Sequence, residues 1–497
     1  MISASVNNPF GQKGMALLIF VIFMVFGAMA YFLSSLSLEE IKQHQIESTA
    51  KSLQRAKQAL IAYAVTYGDI DGNADTKPDF PGEYGFLPCP DYNAGLAEGL
   101  EDNGNCGATG LSKVGFFPWK TLDLPVLKDD SGTCLLYAVT GEYKNDESAT
   151  PNKTLMLNED SNGMFQIVDE AGAVVRGANA EDRIVAIIFA PGKVLTLTGQ
   201  NRTFLAGSIC GQEYTKPEEY LDVGGVANNS DVSTTPNTID KFIHATADSI
   251  ADTNPNPYND RFVTITRDEI WGAIVNRTDL IQKMTDMTEA LAMCLRDYAA
   301  ANGNDRLPWP VSTTLADYRD NINYDDNTDA TPGYAGRYPF TVDSSNSAIP
   351  GANISNELFV EAGCNAIVVT SGATVDLQTT GSEYRVLWEN WKDHFFYAVS
   401  QDYAPDVTPA TCGTCITVDS TTRAAMVVFS GSRQTGEVRN EPLAGDIDTK
   451  FDVRNYIENV NATKFPDLTG NGLYTTATSN DIMYCLTTAS PPAVVTC

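Results

Sequence analysis

The sequence predicts an α+β protein: a long N-terminal helix, transmembrane and then amphipathic, carrying two tandem helix-on-antiparallel-sheet modules. Three observations carry that expectation. Residues 15–38 contain no charged side chain. Residues 38–67 contain neither Gly nor Pro. Beyond them, five short motifs occur twice in the same order.

The uncharged run reads MALLIFVIFMVFGAMAYFLSSLSL. At about 1.5 Å per residue, a helix of that length matches the roughly 30 Å hydrocarbon core of a bilayer. It exceeds the apolar part of a cleaved signal peptide, and no small-x-small cleavage site follows it. Lys13 on the short side places residues 1–14 in the cytoplasm and everything after Leu38 outside. A generic single-pass anchor is the plainer reading of the same residues. Behind the run, Ile46, Ala50, Leu53, Ala56, Leu60, Tyr63 and Tyr67 recur at helical spacing, so one continuous rod is expected to turn amphipathic and carry a domain on its second half.

These residues resemble the type IV pilin and pseudopilin family over about residues 9–68. Lys13-Gly14 looks like the end of a prepilin leader. The resemblance implies cleavage after Gly14 by a prepilin peptidase and a methylated Met15 at the mature N-terminus. Most of the family carry Glu at the fifth mature position, where this chain has Ile19. That carboxylate is thought to neutralise a neighbour's N-terminal ammonium, because an unpaired charge in an apolar bundle is costly. Its absence, with Gly-Met-Ala-Leu-Leu at 14–18, resembles minor pilins at or initiating a filament tip. The partners implied are other pilin subunits through the N-terminal helix, the peptidase and the membrane. The implied location is the inner membrane with a periplasmic ectodomain, then the filament or cell surface.

The repeats follow. Leu60-Ile-Ala-Tyr63 is echoed by Leu295-Arg-Asp-Tyr298, and Phe86-Leu-Pro-Cys-Pro90 by Arg306-Leu-Pro-Trp-Pro310. Val114-Gly-Phe-Phe-Pro-Trp119 is echoed by Ala335-Gly-Arg-Tyr-Pro-Phe340, Leu136-Tyr-Ala-Val139 by Phe396-Tyr-Ala-Val399, and Arg183-Ile-Val-Ala-Ile-Ile-Phe189 by Arg423-Ala-Ala-Met-Val-Val-Phe429. Each copy is expected to open with a helix, the second over residues 279–301, then a proline-forced extended turn and strands at 135–139, 184–189, 395–399 and 426–429. The division is therefore a leader at 1–14, the span at 15–38, its continuation at 39–68, and modules at 69–278 and 279–497. The polar stretches 213–260 and 317–333 are expected to be surface loops.

The chain has 497 residues, 43% of them hydrophobic, and a formal charge of -30. So acidic a surface repels phosphate backbones and argues against nucleic-acid binding. The ten cysteines fall in no zinc spacing, and with three histidines they suit disulfides better than a metal centre. Cys89 with Cys106 is the first choice, then Cys134 with Cys210, then Cys485 with Cys497. Cys412-Gly-Thr-Cys415 has redox spacing but sits between strands, so a structural bridge or separate partners fit better.

Asp69, Asp71, Asn73 and Asp75 alternate around Gly72 and offer oxygens that could wrap calcium. The twelfth position of such a loop is Phe80 rather than Glu, and a loop capping the long helix is the plainer alternative. Asp467-Leu-Thr-Gly-Asn-Gly472 is a weaker case. Phe116, Phe117, Trp119, Trp388, Trp391, Phe395 and Phe396 read as core before they read as a glycan platform. His44, His244 and His394 belong to no nucleophile signature, so no catalytic residue is assigned and an enzyme is not expected. A minor pilin-like structural subunit leads. A filament-displayed adhesin is the alternative, and a membrane-tethered enzyme comes last.

Overall fold

The apolar run and the Gly- and Pro-free stretch behind it both form helix, as two elements: α1 (Lys13–Ser35) and α2 (Leu38–Thr66). The computed structural model describes residues 13–35, 38–70, 78–92, 98–102, 106–108, 110–145, 156–195, 200–202, 207–211, 214–223, 226–244, 258–301, 305–315, 317–326, 333–342, 356–405, 412–441, 446–478 and 480–497. Side chains of α1 are described over 17–29 and at Tyr31, and those of α2 from residue 43. The stripe that α2 buries is Thr49, Leu53, Ala56, Leu60 and Ala64, at three- and four-residue spacing. Ile46, expected on that stripe, is exposed.

The expected single rod through a membrane does not hold. Among the described residues no helix is long and apolar enough to cross a bilayer. The single-pass inner-membrane location expected from residues 15–38 is corrected with it.

The first sheet comprises β1 (Lys113–Phe116), β2 (Leu136–Val139), β3 (Phe165–Val168), β4 (Val174–Arg176), β5 (Ile184–Ala190), β6 (Asp240–Ile243) and β7 (Arg261–Thr266). Its continuous part runs β1-β2-β5-β7, all antiparallel. The helices α3 (Arg267–Ile274) and α4 (Thr278–Ala301) follow, α3 opened by a capping box between Thr266 and Glu269. The chain then forms β8 (Ala335–Arg337), β9 (Thr341–Val342), β10 (Asn356–Glu357), α5 (Leu358–Glu361), β11 (Ile367–Val368), β12 (Thr374–Val375) and α6 (Glu383–Trp391). It ends with β13 (Phe395–Val399), β14 (Ile416–Val418), β15 (Thr421–Arg423), β16 (Ala425–Phe429), α7 (Asn459–Ala462), β17 (Leu473–Tyr474), β18 (Ile482–Leu486) and β19 (Val494–Thr496). The second large sheet is β8-β13-β16-β18-β19, also antiparallel.

The repeated motifs fall on corresponding strands, β1 with β8, β2 with β13 and β5 with β16. The Pro-rich turn and the Gly of each copy meet. Asp91 exchanges two main-chain hydrogen bonds with Phe116, and Val311 does the same with Arg337, all of 2.8–2.9 Å. A side chain at Gly115 would strike the main chain at Asp91, and one at Gly336 that at Val311. Glycine is what lets the turn lie flat on each strand.

The halves are not two separate modules in tandem. One core runs without a break from Leu53, Tyr137 and Ile188 through Leu291 and Leu295 of α4 to Tyr397 and Val427. Strands are buried on both faces: Phe395, Tyr397 and Val399 enter that core, while Phe396 and Ala398 enter another behind it with Met426, Tyr456 and Met483. A matching rear core of Phe116, Phe165, Phe189, Tyr220 and Phe242 lies behind the first sheet. The first sheet is also mixed, since β6 pairs β3 in parallel within a stretch expected to be loop. Tertiary packing overrode the polar residues there: Phe242 and Ile243 bury while Lys241 stays out.

Candidate functional site

Apolar surface is driven out of water unless something covers it, so α1 is the first place to look for a partner. Leu17, Leu18, Ile19, Phe20, Val21, Ile22, Phe23, Met24, Val25, Phe26 and Met29 are all exposed, Phe23 at 73%. Nowhere else in the described residues does so long an apolar series stand clear. Gly14 and Met15, the expected processing pair, lie at the start of this helix.

The expected calcium loop is not brought together by what is described. Asp71, Asn73 and Asp75 lie outside the described residues, and Asp69 is held by Arg277 at 2.8 Å. In the 467–472 turn, Asp467 spends its own oxygens on Thr469 and the Gly472 amide.

Five disulfides join Cys89–Cys106, Cys134–Cys210, Cys294–Cys364, Cys412–Cys415 and Cys485–Cys497. The Cys294–Cys364 bridge, from α4 to the segment after α5, was not among the pairs read from the sequence. Around Cys412–Cys415, the Asp402 carboxylate accepts from the Gly413 and Thr414 amides at 2.6 and 2.8 Å. An acid in that position disfavours a thiolate, so the bridge serves the turn. The aromatic candidates are core: Phe116, Phe117, Trp388, Trp391, Phe395 and Phe396 are buried, and only Trp119 is partly open.

The densest group of titratable side chains centres on His394, which sits with Asp393 just before β13, with no exposed surface. Asp393 accepts from the Asn158 amide at 3.0 Å and lies 3.1 Å from His394 Nδ1. Its other oxygen pairs with Lys450 Nζ, and Arg337 donates to its main-chain carbonyl. From the first half come Glu159 and Asp160. Glu159 meets Arg439 at 3.0 Å and the Arg433 amide at 2.7 Å, and Asp160 meets the Tyr456 hydroxyl at 3.1 Å. Arg319 bridges Glu142 and Glu441, which also approaches Lys450 at 3.2 Å. Arg183 and Asp446 add a bidentate pair at 2.6 Å. Residues 142–183 thus meet residues 319–456 in one sealed ionic weld.

No known protein family, curated protein or solved structure matches the chain.

Burial sets the electrostatics of the weld. It pulls the His394 imidazole down to about 4, against the attraction of Asp393 and Asp160, so the ring is neutral at pH 7. Burial also pushes the Glu159 carboxyl up, opposed by Arg439 and reinforced by Asp160. Asp393 goes the other way: burial would raise it, but Lys450 foremost holds it well below the ordinary carboxylate range. Lys450 is in turn raised despite burial, by Asp393, Glu441 and Asp160.

Glu159, Asp160 and His394 offer three ligand atoms within 4.8 Å of one another, and His394 Nε2 has no hydrogen-bond partner. Arg439 and Lys450 already supply the counter-charge there, and no substrate could reach side chains this deep. The group joins the two halves. Its sequence trace was faint: a Lys-Asp-His triplet at 392–394 between buried aromatics.

Proposed function

We propose that this chain is a structural subunit of a filament of the type IV pilus or type II secretion kind, joined to its neighbours through α1. The observation that supports this is the uncovered apolar series from Leu17 to Met29, set beside a body whose other large apolar groups are mostly packed. A helix apolar on all sides needs its surface covered, and a bundle of equivalent subunits supplies such cover. Ile19 in place of an acid suits a subunit at an end of such a bundle, where one neighbour is missing. Five disulfides suit an oxidising compartment. A prepilin peptidase acting after Gly14 would expose Met15 as the first residue of the assembling chain.

Two measurements test this in cells that make the protein. N-terminal sequencing should return Met15, and a photo-cross-linking residue at Phe23 should capture another subunit through its own apolar N-terminal helix. An intact Met1 in assembled material, or a Phe23 probe that captures no protein, contradicts the reading.

A further inference from the structure

The two large sheets differ at one edge. In the second, β18 is covered on its outer side by β19, through Tyr484↔Thr496, Cys485↔Val495 and Leu486↔Val494. The corresponding strand of the first sheet is β7, and among the described residues it pairs only with β5. Its outer edge opens into a cavity of about 360 Å³.

Gln54 and Lys57 of α2 line it together with Ile167 of β3, Val175 and Arg176 of β4, and His244 just past β6. Phe262, Val263 and Thr264 of β7 complete the lining. Lys57 Nζ donates to the Thr264 carbonyl at 2.8 Å, which shows that this carbonyl points away from β5. Main-chain groups alternate along a strand, so Phe262 presents its N–H and C=O to the same side.

The charge of the lining is opposite to that of the chain. Lys57, Arg176 and His244 line the cavity in a protein of net charge -30. Lys57 is partly neutralised by Glu269 at 2.5 Å. Arg176 meets only the neutral Thr264 hydroxyl, at 3.5 Å, and no carboxylate among the described residues pairs with it. His244 presents its ring edge-on to Phe262 at 5.4 Å.

From this we infer that the outer edge of β7 is a docking site for an extended, acidic peptide segment of a partner protein. The segment adds a strand where β19 closes the other sheet. Main-chain pairing with Phe262 and Thr264 holds it, and its carboxylates face Arg176, His244 and Lys57. The inference concerns the first sheet alone and does not depend on how α1 is covered.

The test uses the full chain and two heptapeptide pools, X-Asp-X-Asp-X-Asp-X and X-Lys-X-Lys-X-Lys-X, with X drawn from Val, Thr and Tyr. The acidic pool should bind, and should slow hydrogen exchange at the Phe262 and Thr264 amides. Arg176→Glu, on an exposed edge strand, should leave folding intact and weaken that binding by about tenfold. Failure of the acidic pool to bind, equal binding of the lysine pool, or binding that leaves both amides untouched overturns the inference. So does acidic binding that emerges only after residues 245–257 are deleted, since the chain would then be covering its own edge.

Discussion

The first and second sheets share a plan and differ in how they are finished. Both run four antiparallel strands in the same order, β1-β2-β5-β7 and β8-β13-β16-β18. In each, a helix lies against the last two, α2 on β5 and β7, α4 on β16 and β18. The second is closed by β19, tied through Cys485–Cys497 to the strand it covers. The first carries β3, β4 and β6 as further strands beyond β5, and among the described residues β7 has no partner on its outer side. The lesson is that a repeated scaffold can be diversified at its edges and insertions while the central strands stay fixed. Those central strands are also where the two halves share a core.

The largest expected effect breaks the weld between them. Lys450→Met leaves Asp393, Asp160 and Glu441 facing one another without their shared cation, and removing one partner of a buried ion pair costs about 3–5 kcal/mol. Urea unfolding should record the loss across both halves together. A drop confined to one half would show that the weld does not couple them.

His394 gives the comparison a pH dependence. Its folded value lies near 4 while the unfolded ring titrates near 6.5, so between those values the unfolded chain holds the extra proton. Its contribution is therefore full above about pH 6.5 and lost as pH falls through about 4, on the order of 3 kcal/mol in all. Asp393, Asp160 and Glu159 face the ring as acids, Lys450 and Arg439 as bases, so the test compares His394→Gln with the parent. The variant should show a flatter loss of stability from pH 6.5 to 4. An unchanged slope would show that His394 does not contribute to the pH dependence.

Removing Cys485–Cys497 as a double Ser variant should cost about 2–3 kcal/mol and release β19. Hydrogen exchange should then quicken on the outer edge of β18, making the second sheet resemble the first. The smallest effect sharpens the shared plan itself. Gly115→Ala and Gly336→Ala should each destabilise by about 1–3 kcal/mol, because both would press into the main chain of a Pro-rich turn. A neutral result at either position would show that the two turns are not equivalent.

Much of the central scaffold was legible in the sequence. The strands at 184–189 and 395–399 are dense in β-branched and aromatic residues, and Gly, Asp and Pro mark their ends. The long amphipathic helix α4 was legible from its apolar spacing. What stayed hidden depends on distance along the chain. The weld draws Glu159 and Asp160 to His394 and Arg439, more than two hundred residues on, and no local pattern marks such a meeting. β6 hid because a strand beginning Asp-Lys reads as loop until β3 pairs with it. In α1 the composition announced a helix that shuns water, but composition is silent on what covers it.

Two sheets of one plan, sharing a common core and a buried ionic weld, should unfold as a single cooperative body. Differential scanning calorimetry of the full chain tests it most directly. One heat-absorption peak is expected, which Lys450→Met moves down as a whole. Two separable peaks in the parent, one surviving unshifted in the variant, would contradict it.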